Sequence, residues 1–218
     1  MTFIAIEGID GSGKSTLSRR LKSYLEDKGY RVFLTSEPYG NPLIREEWIK
    51  SGSVESALKL AISFITDRVV HSRKIAERIR KGYIVISDRY FLSTVAYQGL
   101  NLKPELATPE KVLSFLLGIS EPVEAWPECT IMLDVDPDTS VSRISGRKGR
   151  SPFEEKGYLE DVRSFYLEIA NLIASDRVKW KTLGEIFIIK SNARRSEVMK
   201  QATGAVSRFL SGENQPNK

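Results

Sequence analysis

Gly8-Ile9-Asp10-Gly11-Ser12-Gly13-Lys14-Ser15, with Thr16 directly after it, follows the apolar run Thr2 to Glu7 and precedes a segment in which Leu17, Leu21, Tyr24 and Leu25 recur at helical spacing. Holding a chain of phosphates takes many donors at short range, and glycines let a backbone fold so that successive N–H groups converge on it. Gly8, Gly11 and Gly13 permit that fold, Lys14 can reach the β- and γ-phosphates, and the Ser15 hydroxyl can take a Mg²⁺ position. The helix that follows turns its positive N-terminal end toward the anion. Ordinary residue frequencies put a chance match somewhere in such a chain at about one in a hundred, before the flanking strand and helix are asked for. Residues 8–16 are therefore expected to bind a nucleoside triphosphate, ATP with Mg²⁺, for phosphoryl transfer.

Outward from the loop, short apolar runs alternate with longer stretches of helical period, the pattern of an α/β fold with a parallel sheet covered by helices on both faces. Five strands are expected: Thr2 to Glu7, Arg31 to Ser36, Tyr83 to Ser87, Cys129 to Asp134 and Glu185 to Ile189. A long helix over about Val54 to Lys81 is expected to turn Leu58, Ile62, Ile65, Val69, Ile75 and Ile79 to the sheet, with Gly82 ending it. Thr108-Pro109 and Asp136-Pro137 read as helix starts, and Ser196 as the cap of a last helix running to about Leu210. The chain of 218 residues suits one domain over 1–210, with a polar tail over 211–218.

Composition narrows the partners. Apolar residues make up 41% and no run is long enough to span a bilayer, so no membrane partner is expected. No secretory signal opens the chain and a single cysteine, Cys129, sits in an apolar strand, which points to a cytoplasmic protein with an inert buried thiol. A formal charge of +5 suits an anionic ligand, but the basic residues are spread along the chain without an aromatic platform. Nucleic acid is accordingly not an expected partner.

In open parallel sheets ligands sit at the carboxyl ends of the strands. Glu37-Pro38 follows the second strand, Asp88-Arg89-Tyr90 the third, and Asp134 ends the fourth. Asp88 is the first choice for a Mg²⁺ carboxylate and Asp134 its rival, with a turn-capping aspartate the alternative for either. Phe64, Arg68 and His71 share one face of the long helix, where an aromatic beside a guanidinium can hold a base and a phosphate. His71 reads as a structural histidine. Arg45 follows the loop containing Glu37. Arg143, Arg147, Lys148 and Arg150, with Phe153 and Glu154 beyond, read as a mobile basic lid over about 143–157 that sets an arginine against the transferred phosphoryl group.

Together, Phe3 to Leu17, Thr35 to Gly40, Phe64 to His71, Asp88 to Gly99 and Arg143 to Glu154 resemble the thymidylate kinases, most tellingly in Asp88-Arg89-Tyr90, Ser93 and Ala96-Tyr97-Gln98-Gly99. The resemblance implies strand order 2-3-1-4-5, ATP as donor, dTMP as acceptor and a homodimer. It also implies that Phe64 stacks on thymine and Arg68 contacts it, with Arg89 and Arg45 on the acceptor phosphate. Tyr97 then lies beneath the sugar, Gln98 near the base, Asp10 near the deoxyribose and Glu37 on the metal and acceptor side, while Ser93 and Thr94 complete the acceptor set. Two places depart from the family. Gly11 stands where one branch carries a P-loop arginine, which shifts the expected catalytic cation to Arg147 or Arg150, beside Lys14, Asp10 and Arg89. Thr35-Ser36-Glu37-Pro38-Tyr39-Gly40 replaces the usual Thr-Arg-Glu-Pro-Gly.

Two rivals remain at this stage. A deoxynucleoside kinase needs a general base near the second strand, and Glu37 stands there. A nucleotide-dependent switch or nucleic-acid-binding ATPase uses the P-loop for binding and the net positive charge for its partner. A monophosphate acceptor instead calls for cations to offset repulsion between the reacting phosphates, which Arg45, Arg68 and Arg89 offer.

Overall fold

The computed structural model describes residues 2–41, 44, 53–145 and 155–210. Its sheet has five strands, β1 (Phe3–Glu7), β2 (Val32–Ser36), β3 (Ile84–Asp88), β4 (Cys129–Asp134) and β5 (Glu185–Lys190). All pair in parallel, in the order β2-β3-β1-β4-β5. Each expected strand lies within one residue of an observed one at either end. The central strand β1 is buried at all five positions, as a parallel strand covered on both faces must be. In register Ile4 faces Ile86 on one side and Cys129 on the other, so the P-loop leaves the sheet at its middle.

Alternation along β1 divides the core. Ile4 and Ile6 pack with Leu17, Leu21 and Leu25 of α1 (Lys14–Asp27) and with Val198, Ala202 and Val206 of α7 (Arg195–Leu210). Phe3 and Ala5 face the other layer. That layer holds α2 (Val54–Arg80), α3 (Phe91–Leu106), α4 (Pro109–Ile119) and α6 (Lys156–Ser175). The short α5 (Pro137–Ile144) leads from β4 toward residues 146–154, and a 3₁₀ turn at Lys181–Leu183 precedes β5. Among the described residues no helix is long and apolar enough to cross a membrane.

Local signals explain most ends. The Ser53 hydroxyl caps α2 by accepting from the Ser56 N–H, and Thr108 caps α4 through the Lys111 N–H, with Pro109 in the first turn. Two expectations need correction. Ile62 faces outward, 49% exposed, because α2 buries Ala57, Leu60, Ala61, Phe64, Arg68, His71 and Ile75 instead. Two of those are polar residues buried with partners, which an apolar stripe cannot reveal. Ser196 lies inside α7 and is not its cap. Helix α3 carries no expected period because nearly all its sides are buried, Phe91, Leu92, Val95, Ala96, Tyr97 and Leu102 among them.

Candidate functional site

The carboxyl ends of all five strands line one cleft of about 640 Å³, with the P-loop, Glu37, Asp88, Arg89, Leu133 and Ser191 on its walls. Gly8, Gly11 and Gly13 all take positive φ, at 136°, 75° and 100°. Space as well as conformation demands glycine at two of them. A Cβ on Gly8 meets the Leu133 carbonyl oxygen at 2.5 Å, and one on Gly11 meets the Ser140 carbonyl oxygen at 2.6 Å. Helix α5 therefore packs against the loop at Gly11, and no side chain fits there without moving α5. The Ser140 hydroxyl donates to the Asp10 carbonyl and Arg143 donates to the Gly11 carbonyl, which ties α5 to the loop backbone.

Lys14 is buried, and its ammonium donates to the Gly8 and Ile9 carbonyls at 3.0 and 2.8 Å. Burial and then the Arg89 charge pull its pKa down to about 8, against the pull of Asp10 and Asp88. The Ser15 hydroxyl donates to Asp88 Oδ2 at 2.5 Å, so two oxygen ligands stand together, one in the first turn of α1 and one at the end of β3. The rival Asp134 is engaged elsewhere. It is 2% exposed and accepts from Arg163 Nε at 2.5 Å and Lys190 Nζ at 2.6 Å. Burial raises its carboxyl, but those two cations hold it below the usual carboxylate range. Among the described residues no group of three or more His, Cys, Asp or Glu could hold a metal ion.

Arg89 joins this half to the next. It adopts a φ of 71°, uncommon for a residue with a side chain, and donates to Asp10 Oδ1 at 2.5 Å and to Ser93 Oγ at 3.1 Å. The Tyr97 hydroxyl donates to Asp10 Oδ2 and accepts from the Asp10 N–H. Burial pushes the Asp10 carboxyl up, yet Arg89 and Lys14 more than reverse this and bring it to about 2. Beneath Arg89 lies Glu7, fully buried, accepting from the Tyr90 and Ser93 N–H groups and from the Ser93 and Tyr166 hydroxyls. Burial raises the Glu7 carboxyl against the pull of these bonds and of Arg89.

A second, narrow pocket is lined by Glu37, Pro38, Phe64, Arg68, Arg89, Tyr90, Ser93, Thr94, Tyr97 and Gln98, so the structure brings together all the expected acceptor residues except Arg45. Arg68 is fully buried. Its Nε and Nη2 grip both oxygens of Glu37 at 2.6 to 3.1 Å, and Nη2 also donates to Thr94 Oγ1 at 2.8 Å. Its Nη1 has no hydrogen-bond partner among the described residues. With both oxygens held by a guanidinium, Glu37 is badly set to take a proton from a hydroxyl, which removes the geometric case for a nucleoside kinase.

The unusual loop after β2 has its own packing. Asp67 accepts from three successive N–H groups, Tyr39, Gly40 and Asn41, at 2.5, 2.9 and 2.9 Å. The Tyr39 ring stacks on His71 at 4.4 Å, and His71 bonds Glu37 Oε1 at 3.2 Å and Thr35 Oγ1 at 2.8 Å. His71 is structural, but what it supports is Glu37.

Arg45, Arg147 and Arg150, and residues 146–154 of the expected lid, lie outside the described residues. Cys129 is buried in β4, where burial drives its thiol far up, so it is inert. Sequence reasoning passed over Glu7, Asp67, Ser140 and the segment after β5, where Ser191, Ala193 and Arg195 reach the cleft. Glu7 alone carried a signal, a carboxylate closing an otherwise apolar strand.

A family model described as thymidylate kinase matches residues 6–182. The chain is similar to probable thymidylate kinases from three organisms. It is 42% identical to that of Pyrobaculum aerophilum, over 77% of this chain and 82% of the relative. With that of Thermoplasma acidophilum the identity is 39%, over 75% and 81%. The relative from Methanosarcina barkeri is 33% identical over 95% of this chain and 97% of its own length.

Proposed function

Because the chain belongs to the thymidylate kinase family, we propose that it transfers the γ-phosphoryl group of ATP to dTMP, giving ADP and dTDP. It is an ATP-dependent nucleoside monophosphate kinase. One observation carries the residue assignment: Arg89 lines both the P-loop cleft and the narrow pocket, so its charge stands where a donor γ-phosphate and an acceptor phosphate have to meet.

In this reading residues 8–16 hold the triphosphate, with Lys14 on the β- and γ-phosphates. Arg89, oriented by Asp10 and Ser93, neutralises the acceptor phosphate. The base enters beside Phe64, Gln98 and Thr94, and a carbonyl on its edge satisfies the partnerless Nη1 of Arg68. Tyr97 and Asp10 border the sugar. Arg45 on the acceptor phosphate, and Arg147 or Arg150 on the transferred group, complete the set of cations. The Ser15 and Asp88 oxygens fit Mg²⁺, a hard ion that keeps several waters and takes few protein ligands. When bound it supplies charge neutralisation on the phosphates.

The same reading takes residues 1–210 as a single kinase domain in the cytoplasm and the active form as a homodimer. Ile62 and Val70, exposed at 49% and 58% on α2, offer an apolar face for a two-fold partner. ADP release by the purified protein tests the function. Release that depends on dTMP and not on thymidine is expected; release indifferent to any monophosphate contradicts it.

A further inference from the structure

Helix α3 begins two residues after Arg89, and its N-cap residue Tyr90 makes no side-chain bond to the first turn. Its exposed N–H groups are met from outside. Glu7, the last residue of β1, accepts from the Tyr90 N–H at 2.9 Å and the Ser93 N–H at 3.2 Å with one carboxylate oxygen. The other oxygen accepts from the Ser93 hydroxyl at 2.5 Å and the Tyr166 hydroxyl at 3.1 Å. A negative group at a helix N-terminus is favourable on charge grounds as well.

The same four bonds define the surroundings of Arg89. Its backbone N–H donates to the Ile6 carbonyl at 2.9 Å and its carbonyl accepts from the Ser87 hydroxyl at 2.7 Å, so the left-handed residue is held on one side by β1 and β3. On the other side Tyr90 and Ser93 hold it: Glu7 accepts from both their N–H groups and from the Ser93 hydroxyl, while the Tyr90 carbonyl also accepts from Arg68 Nη2 at 3.2 Å and its hydroxyl donates to the Ala125 carbonyl at 2.6 Å. Ser93 Oγ is shared: it donates to Glu7 and accepts from Arg89 Nη1 at 3.1 Å. A hydroxyl that donates to a carboxylate is a stronger acceptor toward a guanidinium. Asp10 orients the other terminal nitrogen, and it lies on the P-loop, one turn of chain beyond Glu7.

We propose that Glu7 is a positioning residue for the acceptor half of the reaction: through Tyr90, Ser93 and Tyr166 it fixes the backbone of Arg89 and aims its guanidinium at the acceptor phosphate. This rests on the assignment of Arg89 to that phosphate. Glu7 touches neither substrate. Tyr166 brings α6, the helix that follows residues 146–154, onto the same carboxylate, so two helices, α3 and α6, are referenced to the strand that carries the P-loop.

Glu7→Gln tests the proposal, because an amide can face its oxygen to the two N–H groups and its nitrogen to the two hydroxyls, keeping the packing while removing the charge. It is expected to raise KM for dTMP about tenfold while KM for ATP stays within about twofold. Tyr166→Phe, which removes one bond, is expected to move KM for dTMP about threefold in the same direction. Combined with Arg89→Lys, Glu7→Gln is expected to add little, since both act through one guanidinium. A lowered melting temperature with both KM values unchanged makes Glu7 merely structural and overturns the proposal, as does an equal rise in both. If Glu7→Gln does not fold, Tyr166→Phe decides, an unchanged KM for dTMP counting against. Arg89→Ala with an unchanged KM for dTMP overturns the underlying assignment; Arg89→Ala impaired beside a normal Glu7→Gln overturns this inference alone.

Discussion

The donor and acceptor halves of the proposed site are built in opposite ways. The proposed donor half is one continuous stretch, Gly8 to Thr16, read as binding mainly through its backbone, whose glycines are dictated by φ angles and by contact with β4 and α5. The acceptor half has no such stretch. Arg68 from α2, Glu37 from the loop after β2, Arg89 from the end of β3 and Thr94 and Tyr97 from α3 meet only because the sheet order brings them together. A site carried by backbone tolerates changes in its surroundings. One assembled from buried side chains depends on every support behind them, here Glu7, Asp67 and His71.

That contrast can be broken at several points. Lys14→Ala is expected to lower kcat about a thousandfold, since Lys14 is the ammonium held by the Gly8 and Ile9 carbonyls, and Arg89, which also reaches the Gly8 carbonyl at 3.4 Å, is engaged with Asp10. Rapid-quench turnover measures it, and a loss under tenfold contradicts the assignment. Gly11→Ala is expected to cost about 2 kcal/mol of stability in urea unfolding, from positive φ and from overlap with Ser140. The halves should also differ in pH response. Lys14 has a folded pKa of about 8, below its ordinary value, so the donor loop loses charge as pH rises past 8. KM for ATP is expected to rise about tenfold by pH 9.5 while KM for dTMP, resting on arginines, stays flat. The sign for stability is opposite: burying this lysine's charge costs stability below pH 8, and because the folded state binds fewer protons above it, that cost shrinks as pH rises from 8 toward the unfolded value. The smallest effect is expected of Tyr39→Gly, which restores the family's usual residue but removes the stack on His71. A rise of about threefold in KM for dTMP, with ATP unaffected, is the expected outcome.

The same division explains what could be read from the chain. The P-loop and the five strands follow from local pattern, because a buried parallel strand is a short apolar run and a phosphate loop is a set of glycines at fixed spacing. Helix α3 escaped because complete burial erases amphipathic period, and Ile62 was turned the wrong way because the buried stripe of α2 runs through Asp67, Arg68 and His71. Polar residues enter a core only with partners, and those partners lie 31 residues away for Glu37 and Arg68 and 86 for Glu7 and Ser93. Nothing in the local sequence announces such pairs. The Gly11 departure was legible as a lost cation, but the packing of Ser140 that forbids one was not.

Arg89 lines both halves, and its proposed role is on the acceptor side. Calorimetric titration of Arg89→Ala with dTMP and separately with ATP tests this most directly. Affinity for dTMP is expected to fall about a hundredfold, with ATP affinity changed by less than about threefold; equal losses for both ligands contradict it.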